Sequence, residues 1–352
     1  MKKIIAVVVT YNRIALLKEC VHALLHQKDC TDTQLDILLV DNASDDGTKE
    51  WIEEQIAHTA SHDTTPIYAL HLSENTGGAG GFYHGMKWAY EHGADAIWIM
   101  DDDTIPKEDA LQKLWEGMAH VRKQMAPKSE IGFVSSTVLW TDGSPCEMNR
   151  QHYVGDAFIA SGQKKTGNLE IVELQPIDSA TFVSLLFSRE AVEKMGLPIK
   201  EYFIWGDDKE YTLRLSASYP CYHVKDSVVI HKMAINAGSN IVIDAIARVP
   251  RYFYAFRNDL CTAKRRGTKE VIIYFAAFFL KMLWFFPRKS KLFWSFSFGQ
   301  YRINVSSGYS RSFSPEIRYF FLKYTKYSCE KLPFSDAKSQ TESSSPIYAV
   351  LP

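Results

Sequence analysis

Residues 1–135 alternate between short, continuous apolar runs and longer stretches in which apolar residues recur at helical spacing. The apolar runs cover residues 4–9, 35–40, 67–72, 96–100 and 131–135. The stretches with helical spacing lie near residues 14–26, 47–58, 79–92 and 107–123. Continuous apolar runs separated by helices are typical of parallel strands that are buried on both faces. The pattern therefore predicts an α/β fold with an open, mostly parallel, Rossmann-like sheet, whose ligands bind beyond the carboxyl ends of the strands.

The pattern becomes less regular after residue 135. Residues 138–176 are polar and rich in turn-forming residues, which favours a hairpin or a loop. Residues 178–187 predict a further strand, residues 207–218 a short helix and residues 224–231 a last strand. From about residue 245 the chain is basic and aromatic with helical spacing.

The composition indicates a globular protein whose two parts carry opposite charge. The chain has 352 residues, with 40 Lys and Arg against 41 Asp and Glu, and 46% of its residues are hydrophobic. These values exclude a disordered chain, a collagen-like repeat and a polytopic membrane protein. Residues 1–250 carry a net charge of −12 and residues 251–352 a net charge of +11. We therefore predict an α/β domain over 1–245 and a basic helical region over 246–332 that have different partners. A flexible tail follows over 333–352.

Polar clusters follow the first two predicted strands. The first strand ends in the sequence Thr-Tyr-Asn-Arg at 10–13, and residues 41–48 read Asp-Asn-Ala-Ser-Asp-Asp-Gly-Thr. Asp41 comes before the turn, at a position where a carboxylate can accept hydrogen bonds from a ribose or a base. The alternative is that the Asp and Asn residues only form the turn and cap the next helix.

A glycine-rich segment follows the third predicted strand, where residues 75–82 read Asn-Thr-Gly-Gly-Ala-Gly-Gly-Phe. Four glycines in five positions allow the backbone to pass close to a ligand, and the N-terminus of the following helix favours anions. The alternative is a flexible loop that only opens the helix. The spacing matches neither a Walker phosphate loop nor a dinucleotide-binding fingerprint.

Three adjacent carboxylates, Asp101, Asp102 and Asp103, come directly after the fourth predicted strand. They repel one another unless a cation lies close to them. The first and third side chains of an extended segment point to the same face, so Asp101 and Asp103 can converge on one hard divalent ion. The open positions of such an ion suit phosphate oxygens. The alternative is a solvated acidic turn that caps the next helix.

Two later segments carry groups that would complete a site. Asp207 and Asp208 follow an apolar, aromatic stretch, and one of them could act as a general base if burial or its neighbour raised its pKa. The alternative is that these acids only favour the first turn of a helix. His231 ends the last predicted strand; its imidazole is either structural or a further ligand of a carboxylate-bound metal.

In this order the motifs resemble those of family 2 inverting glycosyltransferases with the GT-A fold. The resemblance rests on residues 8–13, 41–48, 75–82 and 101–103, together with 205–210 and His231. It covers about residues 4–232. The glycine-rich segment and the triple aspartate look most similar to bacterial galactofuranosyltransferases, and rhamnosyltransferases come next. One departure is Gly206, because relatives often place tryptophan directly before the acidic pair.

The resemblance implies a role for each matching residue. The nucleoside would be held by Thr10, Arg13 and Asp41. The nucleotide sugar would lie beside Asn75, Gly77 and Gly78, and its ribose or donor sugar near Asp102. A Mn²⁺ or Mg²⁺ ion on the diphosphate would be bound by Asp101, Asp103 and His231. The acceptor would contact Trp205 and Asp207, and its hydroxyl would lose a proton to Asp208.

The function implied by the resemblance is the metal-dependent, inverting transfer of a sugar to a glycan or lipid-linked acceptor in bacterial cell-surface polysaccharide synthesis. UDP-galactofuranose is the favoured donor and dTDP-rhamnose the alternative. A nucleotidyltransferase would also use carboxylate-bound metal, but the expected Lys- and Arg-rich signature near the first strand is missing. A sugar-binding or scaffolding module without activity is the alternative outside enzymes.

The basic C-terminal region contains the most apolar stretch of the chain, residues 271–286. Its 16 residues fall short of the roughly 20 that span a bilayer. Basic clusters at 264–266 and 288–291 flank it, which favours an anionic membrane surface as the partner. The alternative is packing against the α/β domain or a second subunit of a homo-oligomer, and nucleic acid is disfavoured because no recognised binding fold accompanies the charge.

The cysteines bear on the expected compartment. All six are widely spaced and none forms a CxxC pair, which predicts neither a disulfide framework nor a zinc site. This pattern is typical of thiols in a reducing cytoplasm. We therefore expect a cytoplasmic protein that lies at the inner face of the cell membrane as a peripheral protein.

Overall fold

The structure is a computed structural model that describes residues 1–285, apart from residues 29, 31, 62–64, 125–129, 156–157, 162–170, 239–243 and 245–247. The described residues divide into two compact units, Met1–Tyr254 and the residues from Ala255 onward. The predicted tail at 333–352 and the basic cluster at 288–291 lie outside the described residues.

The first half of the chain forms strands and helices in alternation. The strands are β1 (Lys2–Thr10), β2 (Thr33–Asp41), β3 (Ile67–His71), β4 (Ala96–Asp101), β5 (Thr104–Pro106) and β6 (Phe133–Leu139). The helices are α1 (Ile14–Leu25), α2 (Thr48–Ala60), α3 (Gly77–Glu91) and α4 (Ala110–Gln124).

The second half contains the remaining described elements. The strands are β7 (His152–Tyr153), β8 (Phe158–Ser161), β9 (Ile171–Ser179), β10 (Leu185–Ser188) and β11 (Tyr222–His231). The helices are α5 (Arg189–Met195), α6 (Asp207–Ser216), α7 (Val249–Arg266) and α8 (Thr268–Phe285). Two 3₁₀ turns cover Glu147–Asn149 and Lys200–Tyr202.

The strands form one mixed, mostly parallel sheet, which confirms the predicted fold class. Its order is β3-β2-β1-β4-β10-β6-β11-β9-β7, with β5 paired to β11 and β8 to β9. β1 pairs in parallel with β2 and β4, and β6 in parallel with β11. β10 runs antiparallel between β4 and β6. The carboxyl ends of β1, β2 and β4 therefore meet at one edge of the sheet.

The core lies on both faces of the central strands. Along β1, Ile4 and Val8 pack into one apolar cluster, whereas Ile5 and Val7 pack into the other. This double burial explains why the run carries no polar alternation. On α3, a Cβ added to Gly85 would lie only 2.4 Å from Val7 Cγ1. The absence of a side chain there lets α3 lie close against the sheet.

The predicted strand over residues 178–187 is wrong as a single element. β9 ends at Ser179, β10 begins at Leu185, and a turn joins them in which the Val183 amide donates to the Thr181 carbonyl at 2.8 Å. Val183 is buried within this turn. The pattern of apolar residues could not separate the two elements, because a buried turn and a buried strand both give a continuous apolar run.

In the second unit the structure describes the part of α7 from Ala255 onward and the whole of α8. Within it, the Tyr274 hydroxyl donates to the Phe256 carbonyl at 3.2 Å. α8 exposes large apolar side chains, of which Ile272, Phe279 and Leu280 are more than 60% accessible to solvent. Among the described residues, no helix combines the length and hydropathy that crossing a bilayer would require.

Candidate active site

The carboxylates after β4 and the histidine that ends β11 meet at one edge of the sheet. β5 pairs antiparallel with β11, so Thr104 lies opposite His231. This pairing places Asp103 beside the imidazole, with His231 Nε2 2.9 Å from Asp103 Oδ1. Asp101, Asp103 and His231 each offer one ligand atom, and these atoms lie within 4.8 Å of one another. The fold thus brings together the three residues that the sequence predicts as metal ligands.

The electrostatics of this group fit a divalent cation. Loss of contact with water raises the pKa of Asp101 to about 6, and the charge of Asp103 adds to the shift. Burial alone would lower the pKa of His231, but its hydrogen bond with Asp103 raises it to about 10. Burial would raise the pKa of Asp103, yet His231 and Arg13 hold it below its ordinary value. Crowded carboxylates beside one imidazole are a donor set suited to Mn²⁺ or Mg²⁺.

Asp102 joins β1 to the same group. It is fully buried, and its Oδ2 accepts a hydrogen bond from Thr10 Oγ1 at 2.7 Å. Its Oδ1 lies 2.6 Å from Arg13 Nη2, while Arg13 Nη1 donates to Asp103 Oδ2 at 2.6 Å. Burial raises the pKa of Asp102 to about 7, although Arg13 opposes this shift. Thr10, Arg13 and Asp102 are therefore one connected group, and their contacts with a nucleoside remain predictions.

Asp41 ends β2 and is held by two donors. Its Oδ1 accepts a hydrogen bond from the Ser44 amide at 2.9 Å, and its Oδ2 lies 3.0 Å from His71 Nδ1. His71 Nε2 lies 3.0 Å from Glu53 Oε1, so the imidazole bridges two carboxylates. Burial would raise the pKa of Asp41, but the hydrogen bonds from His71 and Ser44 lower it. Sequence reasoning missed His71, although its place at the end of β3 was the available signal.

Asn75 closes the turn that precedes α3. Its Oδ1 accepts a hydrogen bond from the Gly77 amide at 2.8 Å and lies 3.3 Å from Asn42 Nδ2. Asn42 Nδ2 also donates to the Gly77 carbonyl at 2.9 Å. These bonds fix the backbone at the N-terminus of α3, beside the carboxyl end of β2.

The glycines belong to α3, which begins at Gly77, two residues before the predicted start of the helix near residue 79. Gly77 has a φ of 73°, and a Cβ there would lie 2.0 Å from the Phe203 carbonyl oxygen. A Cβ at Gly81 would lie 2.4 Å from Val9 Cγ1. These two glycines are required for packing against protein. Gly78 differs, since a Cβ at this position would meet open space.

The segment before α6 has an unusual backbone. Phe203 has a φ of 64° and a ψ of −61°, and the Ile204 amide donates to the Tyr202 carbonyl at 2.7 Å, which forms a γ-turn. Trp205 also has a positive φ, of 62°. The Ala79 amide of α3 donates to the Phe203 carbonyl at 3.1 Å and holds the turn in place. Backbone in such rarely populated regions is concentrated at functional sites.

This turn places Asp207 and Asp208 at the N-terminus of α6. Asp207 is buried, and burial together with the charge of Asp208 raises its pKa well above the ordinary value. Asp208 is half-buried, and one of its oxygens accepts a hydrogen bond from the Lys209 amide at 2.7 Å. The charge of Asp208 also raises the pKa of Asp101. Asp208 therefore acts electrostatically on the cluster at the end of β4.

Trp205 lies in an aromatic and cationic environment. Its ring meets the ring of Tyr252 edge-on at 4.9 Å, and the Arg248 guanidinium lies 5.5 Å from its centre. Gly206, which separates Trp205 from the acidic pair, has a φ of 87°. Only glycine adopts this conformation at little cost, so the backbone accounts for the residue type found there.

Asn149 belongs to the site and was missed from sequence. Its Oδ1 lies 2.7 Å from His231 Nδ1, and it accepts a hydrogen bond from Cys146 Sγ at 2.9 Å. Asn149 lies in the polar segment 138–176, which carries no periodic pattern. Nothing in the local sequence separates it from the other polar residues of that segment.

The chain is similar in sequence and in fold to known proteins. Residues 5–154 match the family described as "Glycosyl transferase family 2". The galactofuranosyltransferase GlfT1 of Mycolicibacterium smegmatis is 29% identical over 215 residues, which cover 60% of this chain and 65% of that protein. The galactofuranosyltransferase GlfT1 of Mycobacterium tuberculosis is 26% identical over 298 residues, which cover 81% of this chain and 89% of that protein. The match to the first relative thus spans less than two thirds of its length.

A solved structure shares the fold. The crystal structure of GalNAc-T7 with UDP, GalNAc and Mn²⁺ has a TM-score of 0.50 and 12% sequence identity, covering 75% of this chain and 48% of that chain. At this identity the likeness concerns the fold alone. The match over residues 5–154, the similarity to the two GlfT1 proteins and the shared fold lead to one classification. Residues 5–154 form a domain of glycosyl transferase family 2, and the fold resembles that of GT-A glycosyltransferases.

Proposed function

We propose that this chain is a metal-dependent, inverting glycosyltransferase that transfers galactofuranose from UDP-galactofuranose to a glycan or lipid-linked acceptor in bacterial cell-surface polysaccharide synthesis. The observation that carries the proposal is the convergence of Asp101, Asp103 and His231 within 4.8 Å. Asp208 acts electrostatically on the same cluster. The choice of sugar is supported by similarity to two proteins named galactofuranosyltransferase.

The donor side is assigned to the edge formed by β1, β2 and β4. Asp101, Asp103 and His231 would hold Mn²⁺ or Mg²⁺, which when bound neutralises charge on the departing diphosphate. Arg13 lies against Asp103 and keeps a guanidinium charge beside this position. Asp41 offers carboxylate oxygens at the end of β2 for the nucleoside. Gly78 leaves open space at the start of α3, where the nucleotide sugar would lie.

The acceptor side is assigned to the start of α6. The high pKa of Asp207 favours its neutral form, which leaves Asp208 as the member of the pair that accepts a proton. Asp208 takes the proton of the acceptor hydroxyl, and the oxygen attacks the anomeric carbon from the face opposite the nucleotide. One displacement inverts the configuration. Trp205 offers an aromatic surface to the acceptor.

A donor screen tests the proposal. We expect purified protein with Mn²⁺ to release UDP from UDP-galactofuranose, faster in the presence of a suitable glycan acceptor. NMR of the product should show inverted anomeric configuration. Release of dTDP from dTDP-rhamnose instead would establish the rhamnosyl alternative. Binding of a nucleotide sugar without transfer or hydrolysis would indicate a sugar-binding module and contradict an enzymatic function.

We also propose that the basic C-terminal region holds the protein at the anionic inner face of the cell membrane, as a peripheral cytoplasmic protein. The support is the exposed apolar side chains of α8 together with the basic residues 264–266 at the end of α7. We expect anionic liposomes to retain the protein at low salt. The Phe279→Asn/Leu280→Asn variant should lose this retention. Ile235→Asn removes an equally exposed apolar residue of the first unit and should not.

Retention that is unchanged in the Phe279→Asn/Leu280→Asn variant would contradict a membrane contact through α8. A dimer-to-monomer shift in the same variant, measured by light scattering, would instead assign this face to a second subunit.

A further inference from the structure

The His231 ring is bound at both of its nitrogens. Nε2 lies 2.9 Å from Asp103 Oδ1, on the side of the proposed metal ligands. Nδ1 lies 2.7 Å from Asn149 Oδ1. His231 and Asn149 are both more than nine-tenths buried, so water does not compete freely for either bond. The orientation of the ring is therefore set by protein groups.

Asn149 is itself fixed from several directions. Its amide nitrogen Nδ2 donates to Thr181 Oγ1 at 2.8 Å, in the turn between β9 and β10. Its backbone amide donates to the Cys146 carbonyl at 3.1 Å, and its Oδ1 accepts from the Cys146 thiol at 2.9 Å. The side-chain oxygen is thus held toward His231, because the other end of the amide is occupied by Thr181.

This arrangement determines which nitrogen of His231 can bind a cation. A neutral imidazole presents one lone pair and one N–H, and the hydrogen bond made by one nitrogen decides which nitrogen is left to ligate. Asn149 Oδ1 can only accept, so it selects the form with the proton on Nδ1. The lone pair then lies on Nε2, on the side of Asp103. Cys146 Sγ, at 3.9 Å from Nδ1, is a much weaker partner.

We propose that Asn149 is a positioning residue, which holds the Nδ1–H of His231 and thereby directs Nε2 toward a divalent cation at Asp101 and Asp103. This inference rests on the metal site of the proposed function. It adds the polar segment before β7 to the residues that determine metal affinity. It also gives that segment a role in the site that its sequence pattern does not reveal.

The test is a Mn²⁺ titration of the full chain without nucleotide sugar, in which electron paramagnetic resonance measures free Mn²⁺. The Asn149→Leu variant replaces the hydrogen-bond acceptor of Asn149 with an apolar side chain of similar size. We expect this variant to bind Mn²⁺ about 10- to 100-fold more weakly. The Asn149→Asp variant keeps an oxygen acceptor and should bind at least as tightly as the unaltered chain. Ser188→Ala is the matched control, since it removes a buried side-chain hydrogen bond to the Ala191 amide at the start of α5.

A second readout separates positioning from general loss of packing. In the chain saturated with diamagnetic Mg²⁺, long-range ¹H–¹⁵N spectra should show the His231 proton on Nδ1. The Asn149→Leu variant should lose that signature while Asn149→Asp keeps it. If Asn149→Leu does not fold, Asn149→Ala takes its place in both measurements.

Unchanged Mn²⁺ affinity in a folded Asn149→Leu variant would overturn the inference, as would equal weakening in Asn149→Asp and Asn149→Leu. Failure of the unaltered chain to bind Mn²⁺ would overturn it as well. Sugar transfer is measured separately, so a chain that binds Mn²⁺ through these residues without transferring sugar would contradict only the proposed function.

Discussion

Two groups of acidic residues build the candidate site, and their charges are balanced in different ways. Asp101 and Asp103, at the end of β4, lie beside cationic partners, His231 and Arg13. Asp207 and Asp208, at the start of α6, lie beside each other, and burial raises the pKa of Asp207 well above its usual value. In the first group the pKa of Asp103 is held below its ordinary value by His231 and Arg13, whereas in the second group the pKa of Asp207 is raised well above it.

The comparison shows that neighbours, rather than residue type, decide what an aspartate can do. A carboxylate beside cations stays ionised and can ligate a metal, while one buried beside another carboxylate is driven toward its neutral form. Both situations occur in this chain within one site. Each of the following predictions changes an acidic residue or the histidine beside one.

The largest effect is expected from Asp208→Asn. If Asp208 is the carboxylate that accepts a proton, its loss should lower the rate of sugar transfer by about 10²- to 10⁴-fold. Binding of UDP with Mn²⁺, measured by calorimetry, should change little. Asp226→Asn, which alters an exposed acid on β11, serves as the control. Full turnover by the Asp208→Asn variant would assign the proton to another group.

Asp103→Ala should weaken metal binding by the group at the end of β4. His231 and Arg13 would lose the carboxylate that they share, so we expect at least a roughly 10²-fold loss of Mn²⁺-dependent transfer. The pKa of His231 should fall from about 10, because the hydrogen bond with Asp103 supports that value. An NMR pH titration of the imidazole measures this directly. A pKa that stays near 10 would mean that other groups hold the charge.

Mn²⁺ affinity should rise with pH. His231 is protonated up to its pKa of about 10, so binding of a metal at Nε2 must release a proton. Between pH 7 and 9 the association constant should increase about tenfold per pH unit. His231→Gln should bind more weakly and lose this slope. An affinity that does not change over this range in the unaltered chain would contradict ligation by His231.

The smallest effect concerns Asp41, a carboxylate that is balanced by a histidine outside both groups. The hydrogen bond to Asp41 raises the pKa of His71. The contribution of His71 to the free energy of unfolding is therefore present below pH 6.5, and it is lost as the pH rises through the pKa of the folded chain. The pKa of Asp41 is lowered, so the contribution of Asp41 to the free energy of unfolding is lost as the pH falls below about 4. His71→Gln should therefore reduce the free energy of unfolding by about 1 kcal/mol near pH 5.5.

Urea denaturation of the His71→Gln variant at pH 5.5 and pH 8.5 provides its own control. The destabilisation should be smaller at the higher pH, where His71 is closer to neutral in the unaltered chain. An equal loss of stability at both values would indicate lost packing rather than a lost ion pair.

The convergence of Asp101, Asp103 and His231 could be predicted because the sheet imposes it. Each of these residues follows or ends an apolar strand, and the ends of such strands lie at one edge. His71 occupies an equivalent position at the end of β3, but its partnership with Asp41 depends on register between neighbouring strands. A sequence does not display register directly.

The contacts of Asn149 and of the glycines could not be predicted from the sequence. Asn149 contacts a residue 82 positions away through a segment without periodicity, so no local pattern marks it. The sequence predicts that the glycines let the backbone pass close to a ligand. At Gly77 and Gly81 the structure shows close approach to the chain itself, at Phe203 and Val9. A glycine motif indicates proximity to something without identifying it.

The close approach of Gly77 to Phe203 joins the proposed donor side to the proposed acceptor side. One peptide carbonyl at Phe203 touches the first turn of α3, on the proposed donor side, and belongs to the turn that leads into Asp208. The two segments leave no room for a side chain between them, since a Cβ at Gly77 would lie 2.0 Å from the Phe203 carbonyl oxygen. We therefore expect any side chain at position 77 to disturb the proposed acceptor side, although it would be introduced on the proposed donor side.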